Sequence, residues 1–415
     1  MALSLEGAAK DSLCEREIVR LFEGRNRSAG GPPMATPRVL LCVAFVLGPQ
    51  AVAGSPPWGP KPSFEIVAYL QVPKEQRERA KGPREFSAVA LRMPWAYALD
   101  RDGDLYVFRV PLVPPPKTRP VPSERDNGLI AITGELKGAL VEPETTIPGA
   151  GDGGHLIVAG DTLLCTRYRR LEVFSLENPA RPARVGIAGN SSWLAHASTA
   201  TVRDETRLFV LSSKRIDLYD IATPRTPNHL GSFSGPRELV CACVAGDKLV
   251  VGTARQYRTG DKRNAGLAVF DVSDSARIKE TGFIDLGWRA PRQLLRTSGG
   301  TLLAPGVRIS GLEALSTRTG IGFTPSSDAD QPFAATPIDL PNLYHCVMLV
   351  KDGRAFLVGP GEVHEVKPPD ARLVFTYLPW GLRSVAEGCH GDVEGDYAAI
   401  VGGRAIAVLR IKDGK

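Results

Sequence analysis

Three stretches of this chain share one grammar. Phe174, Tyr219 and Phe270 each close a short apolar strand, LEVF, IDLY and LAVF, and each is followed five positions on by Pro179, Pro224 or Ser275 and twelve positions on by Gly186, Gly231 or Gly282. The spacing inside the motif is constant, while the motifs stand 45 and then 51 residues apart. A period of that length belongs to four-stranded propeller blades rather than to helical solenoids. The prolines suit a turn because they fix φ and cannot donate to a ladder, and the Asp220 and Asp271 side chains can hydrogen-bond a turn backbone. SLENPARP and DIATPRTP are therefore expected to connect the third strand of a blade to the fourth.

Extending the register finds weaker copies. Strand, tight turn and strand precede each motif in HLIVAGDTLLC (155–165), LVCACVAGDKLVV (239–251), CVMLVKDGRAFLV (346–358) and GDVEGDYAAIV (391–401), with Gly-Asp or Asp-Gly as the hairpin signal. Third strands are predicted at 104–110, 171–176, 216–221, 267–272, 312–316, 362–366 and 405–411, which makes seven blades. EIVAYLQVP (65–73) stands alone before the first blade, and the last blade ends at Lys415 without a fourth strand. The expectation is an all-β, seven-bladed β-propeller of four-stranded antiparallel blades, its ring closed by residues 65–73 on the C-terminal blade. Composition agrees: 43 Gly and 34 Pro in 415 residues are too many for a helical protein.

The run GLAVFDVSDSARIKETGFIDL resembles the LVIVD repeat, a β-propeller repeat of exported bacterial proteins, and HLIVAGDTLLCTRYRRLEVFSLENPARPARVG is similar to a full unit of it. Blades two to four carry the resemblance well, one and seven recognisably, five and six weakly. The resemblance implies surface or periplasmic binding and scaffolding; it brings no catalytic residues and no general ligand.

The N-terminal segment points to export. From Met34 the chain has a basic residue, Arg38, an apolar stretch from Val39 to Leu47, and Ala51-Val52-Ala53, which together read as a signal peptide (34–53) cleaved after Ala53. The apolar stretch is shorter than the ~20 residues needed to span a bilayer. Residues 1–33 would displace that signal from the terminus and read as a gene-start overextension or a disordered tail; a cytosolic tail before a short membrane anchor is the alternative. Residues 54–415 form the single propeller domain, expected to be periplasmic, cell-surface or extracellular. Past the leader remain Cys165, Cys241, Cys243, Cys346 and Cys389, an odd number without a CxxC pair, read mainly as small buried apolar residues.

A net charge of +6 suggests anionic partners only where it is focused. Loops 73–85 and 255–266 hold nine basic residues against four acids, and both are expected on the face that carries the blade-to-blade connections. Arg255, Arg258, Lys262 and Arg263 lie in the second loop, and Arg237, Arg289, Arg292 and Arg383 near Trp288 and Trp380 at blade-to-blade turns. Arginine forks match carboxylate or phosphate, and tryptophan can stack a sugar or a guanidinium. The competing reading is tryptophans wedged between blades and solvated arginines.

His155, Cys241 and His390 each stand six residues before an aspartate, which puts them at equivalent places on channel-lining strands. A ring channel is too wide for them to share one metal at about 2.0–2.3 Å, so no metal or cofactor is expected; with only 6 histidines and no nucleophile paired with a base, no catalytic residue is expected either. The leading function is a non-catalytic, monomeric exported propeller that binds a protein or an anionic cell-envelope polymer and no nucleic acid. The alternative is a metal-dependent, lactonase-like hydrolase with its site in the channel.

Overall fold

A computed structural model describes residue 58 and residues 60–412, apart from 73–84, 115–118, 121–134, 137, 150–153, 168–169, 189–199, 236, 255–264, 276, 288–290, 292, 297–301, 306–319, 326–332, 339–345, 368–369 and 378–390. The chain divides into two compact units after Trp58, and all the strands belong to the second, Gly59–Lys415. The proposed leader, 1–53, lies outside the described residues.

Every described element of this unit is a strand. In order they are β1 (Ser63–Gln71), β2 (Phe86–Arg92), β3 (Trp95–Asp100), β4 (Leu105–Arg109), β5 (Arg119–Pro120), β6 (Glu135–Leu136), β7 (Ala139–Val141) and β8 (Thr145–Ile147). There follow β9 (His155–Ala159), β10 (Thr162–Arg167), β11 (Arg170–Ser175), β12 (Ala183–Ala188), β13 (Ala200–Arg203), β14 (Arg207–Ser212), β15 (Arg215–Asp220) and β16 (Asn228–Ser234). Next come β17 (Glu238–Ala245), β18 (Lys248–Ala254), β19 (Ala265–Asp271), β20 (Lys279–Gly287), β21 (Leu295–Arg296), β22 (Leu302–Pro305), β23 (Gly320–Pro325) and β24 (Phe333–Ile338). The last are β25 (Val347–Lys351), β26 (Arg354–Gly359), β27 (Glu362–Lys367), β28 (Asp370–Thr376), β29 (Asp392–Glu394), β30 (Tyr397–Val401) and β31 (Ala405–Lys412).

These strands make a β-propeller of four-stranded antiparallel blades, and six sheets have that form: β2-β3-β4-β8, then β9 to β12, β13 to β16, β17 to β20, β21 to β24 and β25 to β28. The count corrects the expected seven. The remaining strands form a five-stranded sheet, β29-β30-β31-β1-β7, in which β1 pairs antiparallel with β31 from Ser63–Lys412 to Gln71–Ala405 and β7 adds in parallel outside it. The third strand of the weakest repeat also differs. It is Gly320–Pro325; residues 312–316, expected in that role, lie outside the described residues.

Each part of the repeat has a structural cause. Asn178, Thr223 and Asp274 carbonyls accept from the N–H groups three residues on, at 3.0, 2.9 and 3.0 Å, so Pro179, Pro224 and Ser275 occupy the second position of a β-turn, where proline's φ is already correct. Asp220 and Asp271 accept the Ala222 and Ser273 N–H groups at 2.8 and 3.0 Å, as expected of them. The aromatic residue sits beside a bulge. Val173 faces Gly186 but Phe174 faces Arg184, and the same one-residue slip recurs at Leu218–Tyr219 and Val269–Phe270. The repeat glycines thus mark the bulge; a Cβ on Gly186 would meet nothing within 4 Å.

The tight hairpins follow their turn residues. Asp352 and Gly353 have φ of 51° and 72°, the left-handed pair that a two-residue hairpin requires, and Gly160, Gly246 and Gly395 hold positive φ in the Gly-Asp turns.

The core lies between successive sheets. Phe209, Leu211 and Leu218 of one sheet pack on Leu249, Val251 and Phe270 of the next, and Leu99, Leu105 and Val107 pack on Leu163, Cys165 and Phe174. The five-stranded sheet is covered on both faces: Tyr69, Ala407 and Leu409 meet Phe356 and Val363 of the β25–β28 sheet, while Val67, Leu70 and Val408 meet Phe86, Val89 and Phe108 of the β2–β3–β4–β8 sheet. Near-continuous apolar strands such as AIAVLRI follow from this two-sided burial.

Candidate functional site

Antiparallel ladders give every sheet two distinct ends. The first strand runs out to its hairpin, and the connections from strand two to three and from sheet to sheet leave at the other end. Gln71 and Phe86 bound the first basic loop; Ala254 and Ala265 bound the second. All four are strand ends of that second kind. Arg255, Arg258, Lys262, Arg263, Trp288, Arg289, Arg292, Trp380 and Arg383 lie outside the described residues.

Of the candidate binding residues only Arg237 is described. Its Nη1 donates to Glu280 Oε1 at 2.8 Å and its guanidinium lies 3.9 Å from the centre of the Phe283 ring, while its Nε is buried without an acceptor among the described residues. Arg237 is therefore held by its own sheet rather than free for a partner.

Two of the three metal candidates, His155 and Cys241, are described, and their side chains go to different places. His155 and Cys241 occupy equivalent rungs, opposite Thr166 and Gly252, as their spacing predicts. His155 lines the central cavity, and its backbone N–H donates to Thr166 Oγ1 at 3.0 Å. The Cys241 thiol turns instead to the Pro291 carbonyl at 3.2 Å, which corrects its placement in the channel; Cys243 lines the cavity. His390 is outside the described residues. Among the described residues no group of three or more His, Cys, Asp or Glu is arranged to hold a metal ion.

All four described cysteines are free thiols, and Cys165, Cys241 and Cys346 are buried. Burial pushes the Cys241 and Cys346 thiols well above the ordinary range and Cys243 up to about 11, so none of these three is a ready thiolate.

The central cavity has a volume of about 560 Å³ and is walled by the inner strands β2, β9, β13, β17 and β29 together with Leu294. Its acidic side is β29. Asp392 Oδ2 accepts the Leu91 N–H at 2.8 Å, and Glu394 Oε2 accepts the Met93 N–H, so two carboxylates bracket the edge of β2 across 301 residues of sequence. Burial raises the Asp392 carboxyl to about 6, against the lowering effect of the Leu91 and Val393 N–H groups and the Arg203 charge; Glu394 adds a further raising effect.

Two arginines complete the lining. Arg92 Nη1 donates to the Leu176 carbonyl at 3.0 Å and Arg203 Nη1 to the Asp204 carbonyl at 3.3 Å. Sequence reasoning missed all four charged groups. GDVEGD was legible only as a hairpin, although acids two apart on one strand share a face.

No family model matches the chain, and no curated protein matches it. Solved structures do. The chain is similar to the Pan2 WD40 domain of Neurospora crassa, with a TM-score of 0.56 at 10% identity over 87% of this chain and 99% of that one. It is also similar to selenomethionine-substituted virginiamycin B lyase from Staphylococcus aureus, with a TM-score of 0.50 at 9% identity over 84% and 99%. At such identities the likeness shows the β-propeller fold alone. Among the described residues no helix is long and apolar enough to cross a membrane.

Proposed function

We propose that the protein is a non-catalytic binding or scaffold module, an exported, monomeric propeller of the LVIVD-repeat kind that holds a protein or an anionic envelope polymer on its basic loop face. In this reading the five-stranded sheet stands beside the six four-stranded blades and closes the ring. The observation that carries the proposal is the common end of the sheets at which Gln71, Phe86, Ala254 and Ala265 lie, since the chain between each pair is strongly basic. Exposed charge of that density attracts polyanions over the ~8 Å screening length of physiological salt. The likeness to a WD40 domain supports a platform role by fold alone.

Replacing Arg255, Arg258, Lys262 and Arg263 together with Ser tests the reading. Retention on an anionic matrix and on isolated envelope material should fall, and should fall with salt in the parent protein, while the melting temperature holds. Unchanged retention, or binding indifferent to salt, would remove the basis for a recognition surface there.

A further inference from the structure

The inner strands carry charge at the hairpin end, opposite the basic loops. Arg92, Arg203 and Arg296 are the last residues of β2, β13 and β21, Lys351 ends β25, and Glu394 ends β29. Lys351 is engaged by Asp396 at 2.9 Å and Glu394 by the Met93 N–H. Arg92 and Arg203 differ. Both line the cavity, and among the described residues each makes a single hydrogen bond, to a backbone carbonyl, so most of the five donors on each guanidinium remain available. Arg296 is exposed at the same end, and its charge reaches the Cys243 thiol.

We propose that the central cavity binds a small organic anion, a carboxylate or phosphate on an apolar body, whose charged group is held by Arg92 and Arg203 at the hairpin end. The cavity volume falls within the ~300–1,000 Å³ of small-molecule sites. Ile157, Val158, Val202, Val244 and Leu294 supply the apolar wall. Arginine forks accept either anion in bidentate fashion. A cationic ligand fits less well because both lining carboxylates already accept backbone N–H groups and Arg203 supplies Asp392 with a counter-charge. This site is separate from the basic loop face.

The test uses three probes of similar shape, benzoate, phenyl phosphate and benzylammonium, titrated by calorimetry and ligand-observed NMR. At least one anion should bind and the ammonium should not. Arg203→Gln should weaken the bound anion by about tenfold or more, the loss of a charge-assisted hydrogen bond, at an unchanged melting temperature because Arg203 is exposed. The quadruple Ser variant of 255–263 should bind the anion as the parent does, which keeps failure of the loop-face reading distinct. Binding of neither anion, equal binding of benzylammonium, or undiminished binding by the Arg203→Gln protein would each overturn the proposal.

Discussion

Asp392 sits where opposed effects compete. Burial disfavours its charge and Glu394 adds repulsion, while two backbone N–H groups and Arg203 favour the charged form; the net result is a carboxyl raised from 3.8 to about 6. An acid with a raised folded pKa binds its proton more tightly folded than unfolded. Its contribution to stability is therefore complete below about pH 3.8 and is lost as the pH rises through about 6. Asp392→Asn keeps an oxygen to accept the Leu91 N–H and removes the buried charge, so it should stabilise the protein near neutral pH by about 3 kcal/mol. Carboxyls held low by partners, such as Asp204 beside Arg207 and Glu365 between Arg354 and Arg372, have the opposite pH dependence. The informative quantity is thus the difference between the melting curves of parent and variant from about pH 4 to about pH 8. It should widen as pH rises, and a constant difference would refute the assignment.

At the scale of elements, the turn between third and fourth strands offers a cleaner comparison, because the chain has run it three times. Pro179 and Pro224 occupy the second turn position, and Ser275 fills it in the third copy, with the Arg277 N–H bonded to the Asp274 carbonyl at 3.0 Å as in the other two. Ser275→Pro should raise stability by about 0.4–1 kcal/mol by restricting the unfolded chain. A calorimetric scan showing a lower melting temperature would mean that this turn differs from its siblings. Such turns were legible in sequence because their chemistry is local: an Asx side chain, a proline, a short apolar run. The slip beside Phe174, Tyr219 and Phe270 was not, since a bulge is a property of two strands together. The run at 312–316 drew the third strand away from Gly320–Pro325 because it is the more apolar of the two, and GIGFTP has the glycine and proline of a loop. The cavity was illegible for a stronger reason. Its charged lining comes from residues 92, 203, 392 and 394, on three sheets, and no window of sequence contains the set.

On the whole-molecule scale the first and last described strands, β1 and β31, pair with each other, and the terminal sheet depends on both. β1 is the fourth strand from the β29 edge and lies between β31 and β7, so it has backbone partners on both sides. Its side chains serve both faces: Tyr69 packs toward the β25–β28 sheet, and Val67 and Leu70 toward the β2–β3–β4–β8 sheet, all fully buried. Glu65 adds ion pairs to Arg410 and Lys412. A protein shortened to begin at residue 80 would lose about 2 kcal/mol for each of these large apolar side chains. The sum over Phe64, Ile66, Val67, Tyr69 and Leu70 is comparable with the ~5–15 kcal/mol net stability of a domain. It would also leave AIAVLRI as an unpaired apolar edge, a template for aggregation. The expected outcome is insoluble protein, or soluble protein that melts far below one beginning at Gly54, with recovery when a peptide covering residues 60–73 is added at refolding. If the shortened protein melts with the longer one, β1 is dispensable and the proposed closure of the ring on the N-terminal strand fails.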